Sequence, residues 1–405
     1  MVNEYFDLVT YGGTLNYYLF ELANFSALAF LVLILYKLDF ININSFIVWI
    51  GIFFSPLLIN YFIISPWLFG DQFEYAGEVM SLKATGRSID NIALMNSKYI
   101  SPITLSVKIL GLIPLPNYMT VTSLAFANKL ILFITFLWFK RFFSNENEVL
   151  LYFLIPSLVL YSSMALRDTV IIVISIVFII NLIRRKYILP VLLLLPLFFL
   201  KIQMFAILFV YILSHVIFQA HKSKNLFGLF ICAFVASGFI FEENILEILN
   251  LYRLAFAAEA FVAFDGSISY NAWNLYGQDD RVTLELNSIL EAVFKAILNL
   301  PVLLLIPMPW NWSNIFYPLQ SIESCLLIYL YFKLSIEKDM FKNNEFILLT
   351  FILIVGLSIY ALIMANEGTF VRYRFSLYYP FLLALLYLCR QPNNINKLSK
   401  KKLPN

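Results

Sequence analysis

The sequence predicts an all-α fold, a polytopic transmembrane helix bundle. Three observations predict it. Of 405 residues, 61% are apolar and 13% are charged, against about 45–50% and about 25% in a soluble domain. The mean hydropathy is +0.82. Apolar runs of membrane-crossing length recur along the whole chain, and most of them stop at Lys or Arg. The chain therefore reads as one integral membrane domain, residues 1–405. A net charge of +3 gives no electrostatic footprint for nucleic acid. Abundant Phe and Tyr suit lipid-facing helices and interfacial belts.

Taken in order, residues 17–36 form the first crossing, ending at Lys37, and residues 46–64 the second. Residues 65–119 are too polar to span and form a first long loop. Residues 120–139 cross and stop at Lys140 and Arg141. The stretch 151–186 then carries Arg167 and Asp168 between two apolar arms, 149–165 and 169–183. Each arm is about 22–26 Å long at helical rise. An ion pair in the middle of one lipid-facing helix would be costly. The expectation is a helical hairpin with that pair at its tip and Arg184, Arg185 and Lys186 at its base. Residues 188–200 and 202–218 repeat the arrangement, with Lys201 and Gln203 at the tip. Residues 226–241 lead into a second long loop, 242–315. Within it, 288–306 is apolar but holds Glu291, Lys295 and Pro301, as a re-entrant or interfacial helix would. Residues 316–332, 346–364 and 375–388 complete the set before a basic tail.

The short loops ending at Lys37, Lys140, Arg184, Lys222 and Lys333, and the tail, are consistently basic. The positive-inside rule puts them in the cytoplasm, with about 11 crossings and the N-terminus outside. No cleavable signal peptide is expected, because no basic region precedes the first apolar run. Cys232, Cys325 and Cys389 lie in apolar runs without ligand-like spacing and read as buried structural thiols.

This topology gathers the polar tips on the extracytoplasmic face. The first loop brings Asp71 and Glu74. The hairpin tips bring Arg167, Asp168, Lys201 and Gln203. The second loop brings Arg253, Arg281 and Trp310, and the last one Arg372 and Arg374. Arg suits phosphate because its planar fork donates two parallel hydrogen bonds. A carboxylate outside the second helix can take a proton from an attacking hydroxyl. Together these are parts of a transferase acting on a lipid-linked pyrophosphate, with no metal, cofactor or nucleotide required. A bland reading stands beside each residue. Asp71 suits a helix N-cap, and Glu74 a solvated helix edge. Arg167 and Asp168 suit a plain solvated turn, and Lys201 a snorkelling anchor. Trp310 suits an interfacial anchor as well as a sugar platform. Arg372 and Arg374 share a face only in extended backbone; on a helix they point apart.

Four stretches carry a family resemblance. GDQFEYAGEVM (70–80) resembles the first-loop acidic motif of integral-membrane glycosyltransferases of the GT-C type. PSLVLYSSMALRD (156–168) resembles a segment common in membrane proteins of polysaccharide clusters. PMPWNW (307–312) and VRYRFSLYYPFLLALL (371–386) resemble their Pro-Phe-Pro-Trp and Arg-x-Arg…Pro elements, with Met308 in place of the expected aromatic. The set is similar to Wzy-type repeat-unit polymerases of O-antigen (lipopolysaccharide) and capsule synthesis. That resemblance implies a GT-C-like bundle in a bacterial inner membrane, active on its periplasmic or exterior side. It implies an undecaprenyl-pyrophosphate-linked oligosaccharide as substrate, membrane lipid around it, a chain-length regulator protein as partner, and a catalytic base in the first loop. A GT-C transferase using a polyprenyl-phosphate sugar donor and a lipid-linked oligosaccharide flippase are the alternatives. The flippase is disfavoured because no internal repeat is visible. The related ligases are expected to use an outer-loop His, whereas His215 and His221 lie at the basic end of the second hairpin.

Overall fold

The computed structural model describes residues 15–63, 72, 75–77, 79, 102–118, 120–221, 240–263, 286–305, 307, 316–337, 340–363 and 367–390. All regular structure among them is helical. Five helices are long and apolar enough to cross a membrane: Leu19–Lys37, Ile43–Ile63, Thr122–Phe142, Pro318–Glu337 and Asn344–Ile363. Three shorter apolar helices accompany them. The protein is thus a helical membrane protein. The described chain forms two compact units: residues 1–178, 191–205 and 390–405, and residues 179–190 and 206–389.

The first unit starts with α1 (Leu15–Lys37) and α2 (Ile43–Leu58). Asp39 closes α1 in the left-handed region, at φ 57°, with the Phe40 N–H reaching back to the Leu35 carbonyl. That is the usual way a helix ends. Asn42 caps α2, its side chain accepting from the Ser45 N–H at 2.8 Å. Pro56 inside α2 has no N–H for the Ile52 carbonyl. The Ser55 hydroxyl donates to that carbonyl instead, at 2.7 Å. One turn on, the Asn60 amide takes the Pro56 carbonyl at 2.9 Å, which the α ladder would give to the Asn60 backbone. The helix answers by widening into a π turn over Ile59–Ile63.

Helices α3 (Pro102–Gly111) and α4 (Val121–Phe139) follow. A reciprocal Thr120–Ser123 box caps α4. Trp49, Phe53, Phe133, Phe136 and Phe153 form the aromatic core of this unit, with the Trp49 and Phe133 rings 4.9 Å apart. Phe153 lies on α5 (Glu146–Phe153), which stops before Pro156 opens α6 (Pro156–Ser162). The arm expected to be continuous over 149–165 is therefore broken, because the residue before a proline is pushed out of the helical region. Residues 163–167 form a turn into α7 (Asp168–Ile183). Helices α8 (Ile188–Leu200) and α9 (Ile202–His221) fold back on each other about Lys201. Phe198 meets Phe205 near that apex, at 5.2 Å. Tyr187 meets His215 at the far end, at 5.9 Å.

The second unit holds α10 (Glu242–Ala263), α11 (Ile289–Leu305), α12 (Phe316–Glu337), α13 (Asn344–Ile363) and α14 (Glu367–Arg390). Ser288 caps α11 by accepting from the Glu291 N–H at 3.1 Å. Ala292, Ala296, Asn299 and Leu303 recur at helical spacing and are buried, and α11 packs along α13. Its other face shows Leu290, Phe294 and Ile297. Glu291 and Lys295 pair one turn apart at 2.6 Å. Every residue from Arg374 to Cys389 on α14 is buried. Gly356 on α13 lets Leu377 and Ile207 approach; a β-carbon there would lie 2.9 Å from Leu377 Cδ2. Cys389 is buried, but Cys325 is exposed, so the expectation of a buried thiol there is corrected. An apolar run faces lipid as readily as protein.

Candidate functional site

The turn at residues 163–167 is the centre of the candidate site. Ser163, Met164, Ala165 and Leu166 are all buried. Non-helical backbone at such depth is tolerated only where protein satisfies its polar groups. Side chains from three earlier elements do so. Asn60 donates to the Ser163 carbonyl at 2.8 Å. Asn128, on α4, donates to the Met164 and Leu166 carbonyls at 2.8 and 2.9 Å. The Ser55 and Ser163 hydroxyls meet at 2.8 Å. Gln72, from the first loop, accepts from the Ala165 N–H at 2.9 Å. Below the turn, the Lys129 ammonium donates to the Val159 carbonyl at 2.7 Å and the Ser162 hydroxyl at 2.8 Å. Lys129 is wholly buried, so a cation replaces the N–H groups that α6 lacks at its C-terminal end.

Asp168 opens α7, where the helix dipole favours a carboxylate. Lys201 Nζ stands 4.0 Å from Asp168 Oδ1, and both side chains are almost fully buried. The sequence suggests a pair between the neighbours Arg167 and Asp168. The structure instead sets Asp168 against Lys201 from the second hairpin. Arg167 is half-buried, and no partner for it occurs among the described residues. Gln203 is half-buried one turn past the apex. Three segments far apart in sequence thus meet in the first unit: the first loop through Gln72, the turn carrying Arg167 and Asp168, and the apex Lys201.

Arg253 and Arg374 are buried in the second unit, each on helix carbonyls. Arg253 Nη1 donates to the Leu362 carbonyl at 2.7 Å, at the end of α13. Arg374 Nη1 donates to the Leu303 and Leu304 carbonyls, each at 2.9 Å, at the end of α11. Burial lowers the Arg253 guanidinium to about 10, with Glu291 opposing the shift. Arg372 and Arg374 both lie on α14, so they point about 200° apart. The joint clamp that extended backbone would have allowed is not formed, and Arg372 is half-buried on its own. Asp71, Glu74, Arg281 and Trp310 lie outside the described residues.

Sequence reading passed over Glu21, Asn60, Gln72, Asn128 and Lys129. The available signal was a single polar or charged residue inside an otherwise apolar run, as in YYLFELANF and LAFANKLILF. Compared with known proteins, the chain matches no family model, no curated protein and no solved structure.

Proposed function

We propose that the chain is an integral-membrane glycosyltransferase of GT-C-like architecture. In this reading it polymerises undecaprenyl-pyrophosphate-linked oligosaccharide repeat units into surface polysaccharide, O-antigen or capsule. The reaction faces the extracytoplasmic side of the bacterial inner membrane, where a chain-length regulator protein is a natural partner. One observation carries the proposal: Gln72 docks on the Ala165 N–H. Gln72 follows Asp71 in the acidic first-loop motif, and Ala165 stands two residues before Arg167. The contact joins the segment that supplies a base to the segment that supplies a cation.

The chemistry needs few parts. The acceptor sugar hydroxyl attacks the anomeric carbon of the growing glycan. The new C–O bond forms as the bond to pyrophosphate breaks, and the hydroxyl proton passes to the Asp71 carboxylate, with Glu74 as second candidate. Arg167 offers its fork to the leaving pyrophosphate. Lys201 holds Asp168, which keeps the turn in place beneath it. A flippase would set its cations around a central cavity; here Lys129, Arg253 and Arg374 hold helix carbonyls.

The test is electrophoresis of the surface polysaccharide in cells carrying Asp71→Asn or Arg167→Gln. Each is expected to leave one repeat unit in place of the ladder. A wild-type ladder with Asp71→Asn removes the assigned base. A product lacking one sugar within the repeat points to the polyprenyl-phosphate-dependent transferase instead.

A further inference from the structure

Glu21 lies two residues inside the apolar span Leu19–Lys37 and is completely buried. A carboxyl at such a place must be matched by a cation, a proton or hydrogen-bond donors. No ion pair among the described residues involves it. Lys129, the buried cation of the same unit, is engaged elsewhere, and it stands seven residues past Thr122, about 10 Å along α4. The hydroxyls of Tyr61, Thr120 and Thr122 surround the Glu21 carboxyl. Yet none is oriented to give either carboxyl oxygen a directed hydrogen bond.

The surrounding backbone is built to hold this group of oxygens. Tyr61 sits in the π turn of α2, a geometry that recurs at functional sites. Thr120 is the extended residue that caps α4. Asn24, one turn after Glu21, is tied to Asn117 in both directions, at 3.1 and 3.2 Å. The Asn117 amide also holds the Phe20 carbonyl at 2.5 Å. Three chain segments are thereby pinned around one carboxyl.

The donor set is oxygen only and carries one formal negative charge. Soft metals prefer thiolate and imidazole ligands, and divalent ions draw on further carboxylates or retained water. We propose that Glu21, Tyr61, Thr120 and Thr122 form an intramembrane site for one sodium ion. Two carboxyl and three hydroxyl oxygens give a small cage that suits sodium better than the larger potassium ion. This inference stands apart from the transferase reading, since neither its residues nor its test involve the glycan.

The experiment is thermal unfolding of the full-length protein in detergent at pH 8, in choline chloride titrated with sodium chloride and, separately, potassium chloride. Sodium is expected to raise the Tm saturably, by about 2 °C or more, with potassium clearly weaker. Thr122→Val is expected to raise the half-saturating sodium concentration at least tenfold, and Glu21→Gln to abolish the dependence. A wild-type Tm that is equal in sodium and choline overturns the proposal, as does an equal rise with potassium. A Tm that responds only to pH assigns Glu21 a proton and overturns it too. The wild-type titration decides the matter even where a variant does not fold.

Discussion

Replacing Asn128 with Leu removes the two donors that hold the buried turn at almost unchanged side-chain size. The Asn128 amide reaches the Met164 and Leu166 carbonyls at 2.8 and 2.9 Å. The two losses differ. The Met164 carbonyl keeps the Leu166 N–H, at 2.9 Å, so its loss is that of one hydrogen bond inside a membrane protein, about 0.6 kcal/mol. The Leu166 carbonyl is left buried without that donor, which costs about 1–3 kcal/mol. The expected destabilisation is therefore about 2–4 kcal/mol. Reversible unfolding of the purified protein in dodecyl maltoside with increasing SDS measures it. Trp49 fluorescence reports on the same unit, because Trp49 is buried against Phe53, Phe133 and Phe136. A change below about 0.5 kcal/mol would show that the turn is held by its own backbone and refute the reasoning.

Other outcomes follow from the same contacts. Lys201→Met leaves the Asp168 carboxylate buried beside no ammonium, and the expected cost is about 3 kcal/mol. Adding Asp168→Leu should recover at least half of that in the same unfolding assay, whereas additive losses would mean the two groups do not interact. Burial raises the Glu291 carboxyl, but Lys295 at 2.6 Å and the Asn287 N–H outweigh it and leave it below the ordinary carboxylate value. A depressed carboxyl contributes stability above its unfolded value, and that contribution fades as pH falls through the folded one. Acid should therefore lower the Tm from about pH 4.5 downward. Glu291→Gln should flatten that limb in a comparison of Tm between pH 3 and pH 6.

Hydropathy found most of the helices because lipid-length apolar runs depend on local sequence alone. The spans of α1, α2, α4 and α13 stand close to where their runs predict. Lys201 could be recognised as a hairpin apex since one basic residue divides two short apolar arms. Pro156 marked the break between α5 and α6, although the arm was read through it. The buried turn was beyond such reading. Asn60 and Asn128 look like minor blemishes in apolar runs, and their partners lie 103 and 36 residues away. Arg253 and Arg374 illustrate another limit. A helix end and a phosphate both ask for cationic N–H donors, so residue type alone cannot separate the two roles. Gln72 was quoted in a motif for its acidic neighbours, yet its own amide makes the contact to the turn.

The order of those contacts along the chain has a consequence for biogenesis. Ser55, Asn60, Gln72, Asn128 and Lys129 all precede the turn they hold. During N-to-C synthesis the receptor side chains are inserted before residues 163–167 leave the ribosome. The turn enters a socket already lined with donors, and its carbonyls need not wait in lipid for partners. Arg253 works in the opposite sense, since the Leu362 carbonyl it holds is made 109 residues later. The first unit can close as it is made, while the second must keep a buried arginine waiting for the end of α13.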